Sequence, residues 1–263
     1  MRRAGLSICL ALALALPNGV NSQSSTLKRL TLRQDLLGFE AVGKLELGRA
    51  GYCTGVLIET HLVLTAAHCV APVAEGRIVI GDLRFRAGLR DGQVVAERRA
   101  VRAVMLPGYR VGHWPDAVNV HNDVALVELA DAIPAATAAP FRVDRLSGQN
   151  QAVSVVSYAA GRDSALSWQG QCNVLGRQGP LFAFDCDVTF GASGAPVFDR
   201  SGSRPRVVSL ISSGSRRSEG TIAFGMELPA AIATLKRQLR TGRGLVGQAD
   251  AGGSGPDAKF LRP

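Results

Sequence analysis

The stretch Cys53-Thr54-Gly55-Val56-Leu57-Ile58-Glu59-Thr60-His61-Leu62-Val63-Leu64-Thr65-Ala66-Ala67-His68-Cys69 sets two short apolar runs on either side of a polar corner at Glu59-Thr60. Runs of this length, rich in valine, leucine and isoleucine, read as strands joined by a tight turn. The same reading spreads outward. Upstream, Lys44-Leu45-Glu46-Leu47 alternates polar and apolar residues. Downstream, strands are expected at Arg77 to Ile80, with Gly81-Asp82 as a turn, at Ala100 to Leu106 and at Val124 to Leu129. No stretch before Pro140 holds a helical period, so the first half is expected to be all-β.

Asp131 to Pro140, rich in alanine and proline, reads as a connector, after which strands resume at Ala152 to Tyr158, Cys172 to Leu175, Leu181 to Asp185, Pro196 to Phe198, Val207 to Ile211 and Ile222 to Met226. Two runs of about six short strands, each too small for a stable open sheet with bare edges, predict two packed six-stranded antiparallel β-barrels. Pro229 opens the one good helix candidate, with Ala231, Ile232, Leu235 and Leu239 on a single face. The expected organisation is therefore a first barrel over residues 39–135 and a second barrel with the terminal helix over 136–240. Residues 23–38 read as an extended arm or short propeptide, and the glycine-rich polar segment 241–263 as disordered.

The chain opens on Met1-Arg2-Arg3, an apolar run from Ala4 to Leu16, and the breakers Pro17 and Gly19, which together have the three-part form of a secretory signal peptide over residues 1–22. The apolar run is too short to serve comfortably as a membrane span, so no transmembrane segment is expected, and the product is secreted or periplasmic. Export would remove Cys9 and leave Cys53, Cys69, Cys172 and Cys186 in an oxidising compartment. Four cysteines allow three connectivities; their grouping along the chain favours Cys53–Cys69 and Cys172–Cys186. A zinc site would need C-x-x-C spacing or a Cys/His cluster, and the sequence has neither. The net charge of +9 comes mainly from scattered arginines, not from a basic run interleaved with aromatics, so it describes a solvated basic surface and not a specific nucleic-acid site.

Three stretches carry chemistry. In Phe190-Gly191-Ala192-Ser193-Gly194-Ala195-Pro196, a serine lies among residues small enough to hold its hydroxyl on a tight turn while backbone N–H groups point at one spot. In Leu64-Thr65-Ala66-Ala67-His68-Cys69, a strand runs into a histidine beside a cysteine, and in His121-Asn122-Asp123-Val124-Ala125-Leu126 an aspartate precedes an apolar strand. Singly, each has a plainer reading: a turn, a half-buried structural histidine, a carboxylate capping a turn. Together they supply the residue types that an activated nucleophile needs, a hydroxyl, an imidazole base and a carboxylate.

With these motifs the chain, from about Phe39 to Arg240, resembles the chymotrypsin-like serine endopeptidases. The resemblance implies a catalytic triad of His68, Asp123 and Ser193, an oxyanion hole on the backbone N–H groups of Gly191 and Ser193, and a disulfide between Cys53 and Cys69 bracketing the histidine loop. It also implies a substrate-pairing backbone edge at Ser212, Ser213 and Gly214, a protein or peptide as substrate, no cofactor or metal, and a monomer. His61, His113 and His121 have no comparable context and read as surface or loop residues.

Ala192 stands where the digestive members carry an acid that pairs with a new N-terminus, and no Arg-Ile-Val-Gly-Gly-like site occurs between residues 23 and 43. That activation switch is not expected here, and the motif style is nearer to bacterial members related to the glutamyl endopeptidases. Asp187 sits six residues before Ser193, the position of the aspartate that binds basic side chains in trypsin-like members, although the Asp185-Cys186-Asp187-Val188-Thr189 run also reads as a structural loop. A preference for glutamate is less expected, because Ile211 occupies the strand position where such enzymes place a histidine. The expected function is that of an exported serine endopeptidase. The alternative is a catalytically silent protein of the same fold that binds through its basic surface, and a lesser one is an esterase.

Overall fold

The computed structural model describes residues 26–249 apart from 114, 147, 149, 150 and 219. The expected signal peptide therefore lies outside the described residues, as do residues 250–263 of the tail. Among the described residues fifteen strands and three α-helices follow one another: β1 Leu27–Arg29, β2 Val42–Leu47, β3 Tyr52–Glu59, β4 Leu62–Thr65, α1 Ala67–Ala74, β5 Leu83–Ala87, β6 Ala96–Met105, α2 Ala117–Asn122, β7 Ala125–Leu129, β8 Ala152–Ser157, β9 Ser167–Gln178, β10 Leu181–Phe184, β11 Pro196–Asp199, β12 Arg206–Leu210, β13 Ser213–Arg217, β14 Gly220–Met226, α3 Pro229–Thr241 and β15 Leu245–Gln248.

The first sheet runs β6-β5-β2-β3-β4-β7, and a further β6–β7 pairing closes it into a six-stranded barrel. In the second, β12 and β13 stand at opposite ends of the order β12-β11-β8-β9-β10-β14-β13, yet they are one segment of chain broken only at Ile211-Ser212. The Ser209 hydroxyl on β12 donates to the Met226 carbonyl on β14 and accepts from its N–H, which draws the two ends together. Alternation decides which faces turn inward: Leu83, Phe85 and Ala87 of β5 are buried, while Arg84 and Arg86 between them are partly exposed. The first apolar core continues through Val156, Tyr158, Phe198 and Met226 of the second half, so the barrels are packed and not tethered. Phe141 and Phe39 meet Phe198 across this junction with ring centroids 4.7 and 6.0 Å apart.

Several local expectations change. Arg77 to Ile80 forms bends and the start of a 3-10 turn instead of a strand, with Val79 exposed to solvent; the strand lies beyond the turn, at β5. Two short helices occur before Pro140. In α1 Ala67, Cys69, Val70, Ala71, Pro72 and Val73 are all buried, so it shows no polar face from which a period could be read. The segment expected as an arm is partly built into the fold: β1 pairs with Ser167 to Gln169 of β9, the Leu30 N–H donates to Leu166, and Leu30 and Leu36 are buried. Three residues of strand are too few for a pattern. The α3 helix forms as expected, burying Ala231, Ile232, Leu235 and Leu239, and ends at Gly242 in the left-handed conformation. Beyond it, residues 245–248 are not disordered but form β15, because the free edge of β6 supplies their backbone partners.

Candidate active site

Strand register brings His68 and Asp123 to the same end of the first barrel. Thr65, the last residue of β4, lies opposite Ala125, the first residue of β7. The chain leaves β4 into α1, where His68 is the second residue, and it enters β7 from α2 through Asp123. His68 donates its backbone N–H to Asp123 Oδ1 over 2.9 Å, and its Nδ1 lies 2.8 Å from Oδ2. Because a buried carboxylate only accepts, Nδ1 carries the proton, and Nε2 is left with its lone pair. A third donor, the Ser212 hydroxyl from the second barrel, reaches Oδ2 at 2.6 Å. Asp123 is 4% exposed at its side chain against 33% for His68, so the carboxylate is sealed while the imidazole keeps an open face. Burial pushes the His68 pKa down, but the charge and hydrogen bond of Asp123 outweigh it and hold the imidazole above its ordinary value.

Ser193 is carried by a backbone turn with Gly191 and Gly194 at positive φ, 89° and 74°. A Cβ on Gly194 would come within 2.3 Å of Thr65 Oγ1 and 2.4 Å of the Thr54 carbonyl, so nothing larger than glycine fits. The Ser193 carbonyl accepts from the Thr54 N–H at 2.9 Å, and the Gly194 N–H donates to Ile211 at 2.7 Å. Thr54 follows Cys53, which is bonded to Cys69, the neighbour of His68. One short path of a hydrogen bond and a disulfide therefore fixes the serine turn to the histidine helix. The Cys53 and Cys69 sulfurs lie near His68, but being bonded to each other they present no thiolate to a metal.

The peptides flanking the turn are also held. The Phe190 carbonyl accepts from the Ala160 N–H at 2.7 Å and the Ala192 carbonyl from the Ala195 N–H at 2.9 Å. In a trans peptide the N–H points away from its carbonyl, so the N–H groups of Gly191 and Ser193 are each turned away from these partners. Among the described residues neither donates a backbone hydrogen bond. Thr54 adds a clamp by donating its hydroxyl to the Gly191 carbonyl at 2.9 Å and accepting the Tyr158 N–H at 3.0 Å.

Ser193 opens into a cavity of about 470 Å³ walled by residues 188–190 on one side and by Ile211 to Gly214, Arg216 and Thr221 on the other. Ser213 and Gly214 begin β13, the terminal strand of its sheet, which pairs only with β14 along its path. Ser212, beside this edge, donates its N–H to Phe224 within the barrel and its hydroxyl to Asp123. Asp187 is not in the cavity lining. The Gln169 side chain binds its N–H, Arg162 binds its carbonyl, and the side chain is left exposed beside Arg162. Cys172–Cys186 forms as expected and anchors this loop to β9.

Sequence reasoning missed Thr54, Tyr109 and Arg216. The only signal for Thr54 is its place beside Cys53. Tyr109 lines a second cavity of about 230 Å³ with His68, His113 and Asp123, and burial, aided by the Asp123 and Glu75 charges, pushes its hydroxyl pKa up and keeps it neutral. Ala192 is fully buried in the core of the second barrel, with no charge to be neutralised there.

A family model described as a trypsin-like peptidase domain matches residues 53–205, more than half the chain and a span that includes His68, Asp123 and Ser193. The chain belongs to the trypsin-like peptidase family. Among solved structures, this trypsin-like peptidase is similar to one titled "Structure of Glu endopeptidase in complex with MPD", with a TM-score of 0.66 and 18% identity over 85% of this chain and 100% of that one. At that identity the likeness establishes the chymotrypsin-like two-barrel fold. A search of curated protein sequences gave no significant match. Among the described residues of the peptidase no helix is long and apolar enough to cross a membrane.

Proposed function

We propose that this trypsin-like peptidase is an exported serine endopeptidase that works through an acyl-enzyme on Ser193. The observation that carries the proposal is the Asp123 carboxylate, buried and holding His68 through two hydrogen bonds on the barrel end to which the Ser193 turn is tied. In this reading His68 Nε2 takes the Ser193 hydroxyl proton as the oxygen attacks the scissile carbonyl carbon. The N–H groups of Gly191 and Ser193 receive the oxyanion; one such donor is commonly worth about 3 kcal/mol of barrier. The C–N bond then breaks, His68 hands its proton to the leaving amine, and a water activated by the same imidazole releases the acyl group. Asp123 keeps the tautomer and stabilises the imidazolium, and Ser213 and Gly214 offer the backbone edge on which an extended substrate can lie.

The reading extends to the rest of the chain. Residues 1–22 act as a signal peptide, the product is secreted or periplasmic, and the enzyme acts as a monomer on protein or peptide substrates without a cofactor. The two buried cysteine pairs suit an oxidising compartment. Labelling with a fluorophosphonate probe, combined with cleavage of a diverse peptide library, tests the assignment. Wild type should label and cleave, and Ser193→Ala should lose both, with turnover falling roughly 10⁶-fold. Folded wild-type protein that neither labels nor cleaves would establish a silent binding protein instead.

A further inference from the structure

We infer that Arg216 makes the cavity beside Ser193 a receptor for an acidic side chain, so that the enzyme cleaves after residues bearing a carboxylate. The inference rests on the endopeptidase reading and supplies its substrate class. Gly214 and Arg216 are two apart on β13, so they face the same side of the sheet, and their cross-strand partners on β14 are Ala223 and Thr221. That side is the cavity side: a Cβ built on Gly214 would meet Val188 Cγ2 at 3.0 Å and Thr221 Cγ2 at 3.5 Å, both residues of the lining. A missing side chain at Gly214 keeps the passage open, and the next residue on that face is a guanidinium.

Arg216 is the charged residue of this lining, which otherwise offers hydroxyls and apolar groups. Among the described residues no carboxylate lies within ion-pair distance of it, as is also true of its neighbour Arg217. Asp187, the residue that would invite a basic side chain, is not part of this lining, and its charge acts on Arg162. An incoming carboxylate would find a forked donor able to bind both of its oxygens, with Thr221 alongside. A lysine or arginine side chain entering the cavity would meet a like charge. The sequence objection to glutamate concerned Ile211; the cation here comes from a different strand position.

The test uses matched peptides differing only in the residue before the scissile bond, Glu, Gln, Lys or Leu, with wild type, Arg216→Gln, Arg216→Glu and a Ser193→Ala blank. Wild type should favour Glu over its isostere Gln by about tenfold or more in kcat/KM, the scale of one charge-assisted contact. Arg216→Gln should erase that ratio while cleavage of the Leu peptide persists, and Arg216→Glu should raise cleavage of the Lys peptide. The exposed position on an edge strand lets these variants fold, and serine-probe labelling confirms it. A wild-type preference for Lys or Leu, or a Glu preference unchanged in Arg216→Gln, overturns the inference and leaves the endopeptidase standing. No cleavage of any peptide together with no labelling overturns the endopeptidase reading itself.

Discussion

The two barrels hold their shares of the site by different means. The first presents His68 through side-chain charge, a buried Asp123 accepting two hydrogen bonds from that residue. The second presents Ser193 through backbone shape, two glycines at positive φ and four carbonyls tied to Thr54 and to nearby N–H groups. A charge can be removed while the fold stays put, whereas a backbone shape cannot be altered without straining what surrounds it. The contrast sorts substitutions into those that should cost rate and those that should cost stability.

Among substitutions that leave the Ser193 hydroxyl in place, the largest effect is expected on the first barrel's side. Asp123→Asn keeps the size of the side chain but presents an amide that can favour the wrong imidazole tautomer, and kcat should fall roughly 10⁴-fold with little change in fold. The pH profile supplies a second reading. Activity needs neutral His68, and its pKa is raised by Asp123, so the acid limb of kcat/KM should lie above the ordinary histidine value of 6.5. Without the carboxylate charge that limb should move to lower pH. A limb that stays in place would show that the charge of Asp123 is not what sets His68.

On the second barrel's side the test is Gly194→Ala. The new methyl must displace the Thr54 carbonyl and the Ala66 nitrogen, both backbone, and must adopt a φ of 74°. Strain of this kind should cost about 3 kcal/mol or more, read as a lower urea midpoint at unchanged m. Gly191→Ala should cost less stability, since its Cβ would meet the Tyr52 ring, a side chain that can swing away. If the two variants are equally stable, the serine turn is softer than its hydrogen bonds imply.

The same contrast explains what could be read in advance. Strands with clear alternation, such as Lys44 to Leu47 of β2, are local patterns and were legible, as were the motifs that hold His68, Asp123 and Ser193, of which the structure brings His68 and Asp123 into contact. The helix α1 was not, because it is buried nearly all round, and neither was β15, whose order comes from an edge of β6 more than a hundred residues away in sequence. The wall of the cavity beside Ser193 was least legible of all. Asp187 has the right spacing from Ser193, but Gln169 and Arg162 fix its loop, while Arg216 reaches the cavity only through the register of β13 on β14. Spacing along a chain predicts a site when one turn builds it and fails when distant strands do.

Ser212 belongs to the second barrel but donates to the carboxylate of the first, so Ser212→Ala asks whether the two means of support are independent. Asp123 would keep both His68 bonds, and the fold should change little. Losing one hydrogen bond to a charged acceptor should lower kcat about tenfold at most. The direction of the pH shift carries the information. The Ser212 hydroxyl donates to Oδ2, the oxygen that also faces His68 Nδ1, and so draws on negative charge that would otherwise stabilise a charged imidazole. Removing it leaves Asp123 a stronger partner for the charged imidazole, so the acid limb should move to higher pH, opposite to the shift in Asp123→Asn. Two substitutions on one hydrogen-bonded chain that move the limb in opposite directions would show that Asp123 acts through its charge. If both move it the same way, both act by misplacing the ring, and support in the first barrel would then rest on shape, as it does in the second.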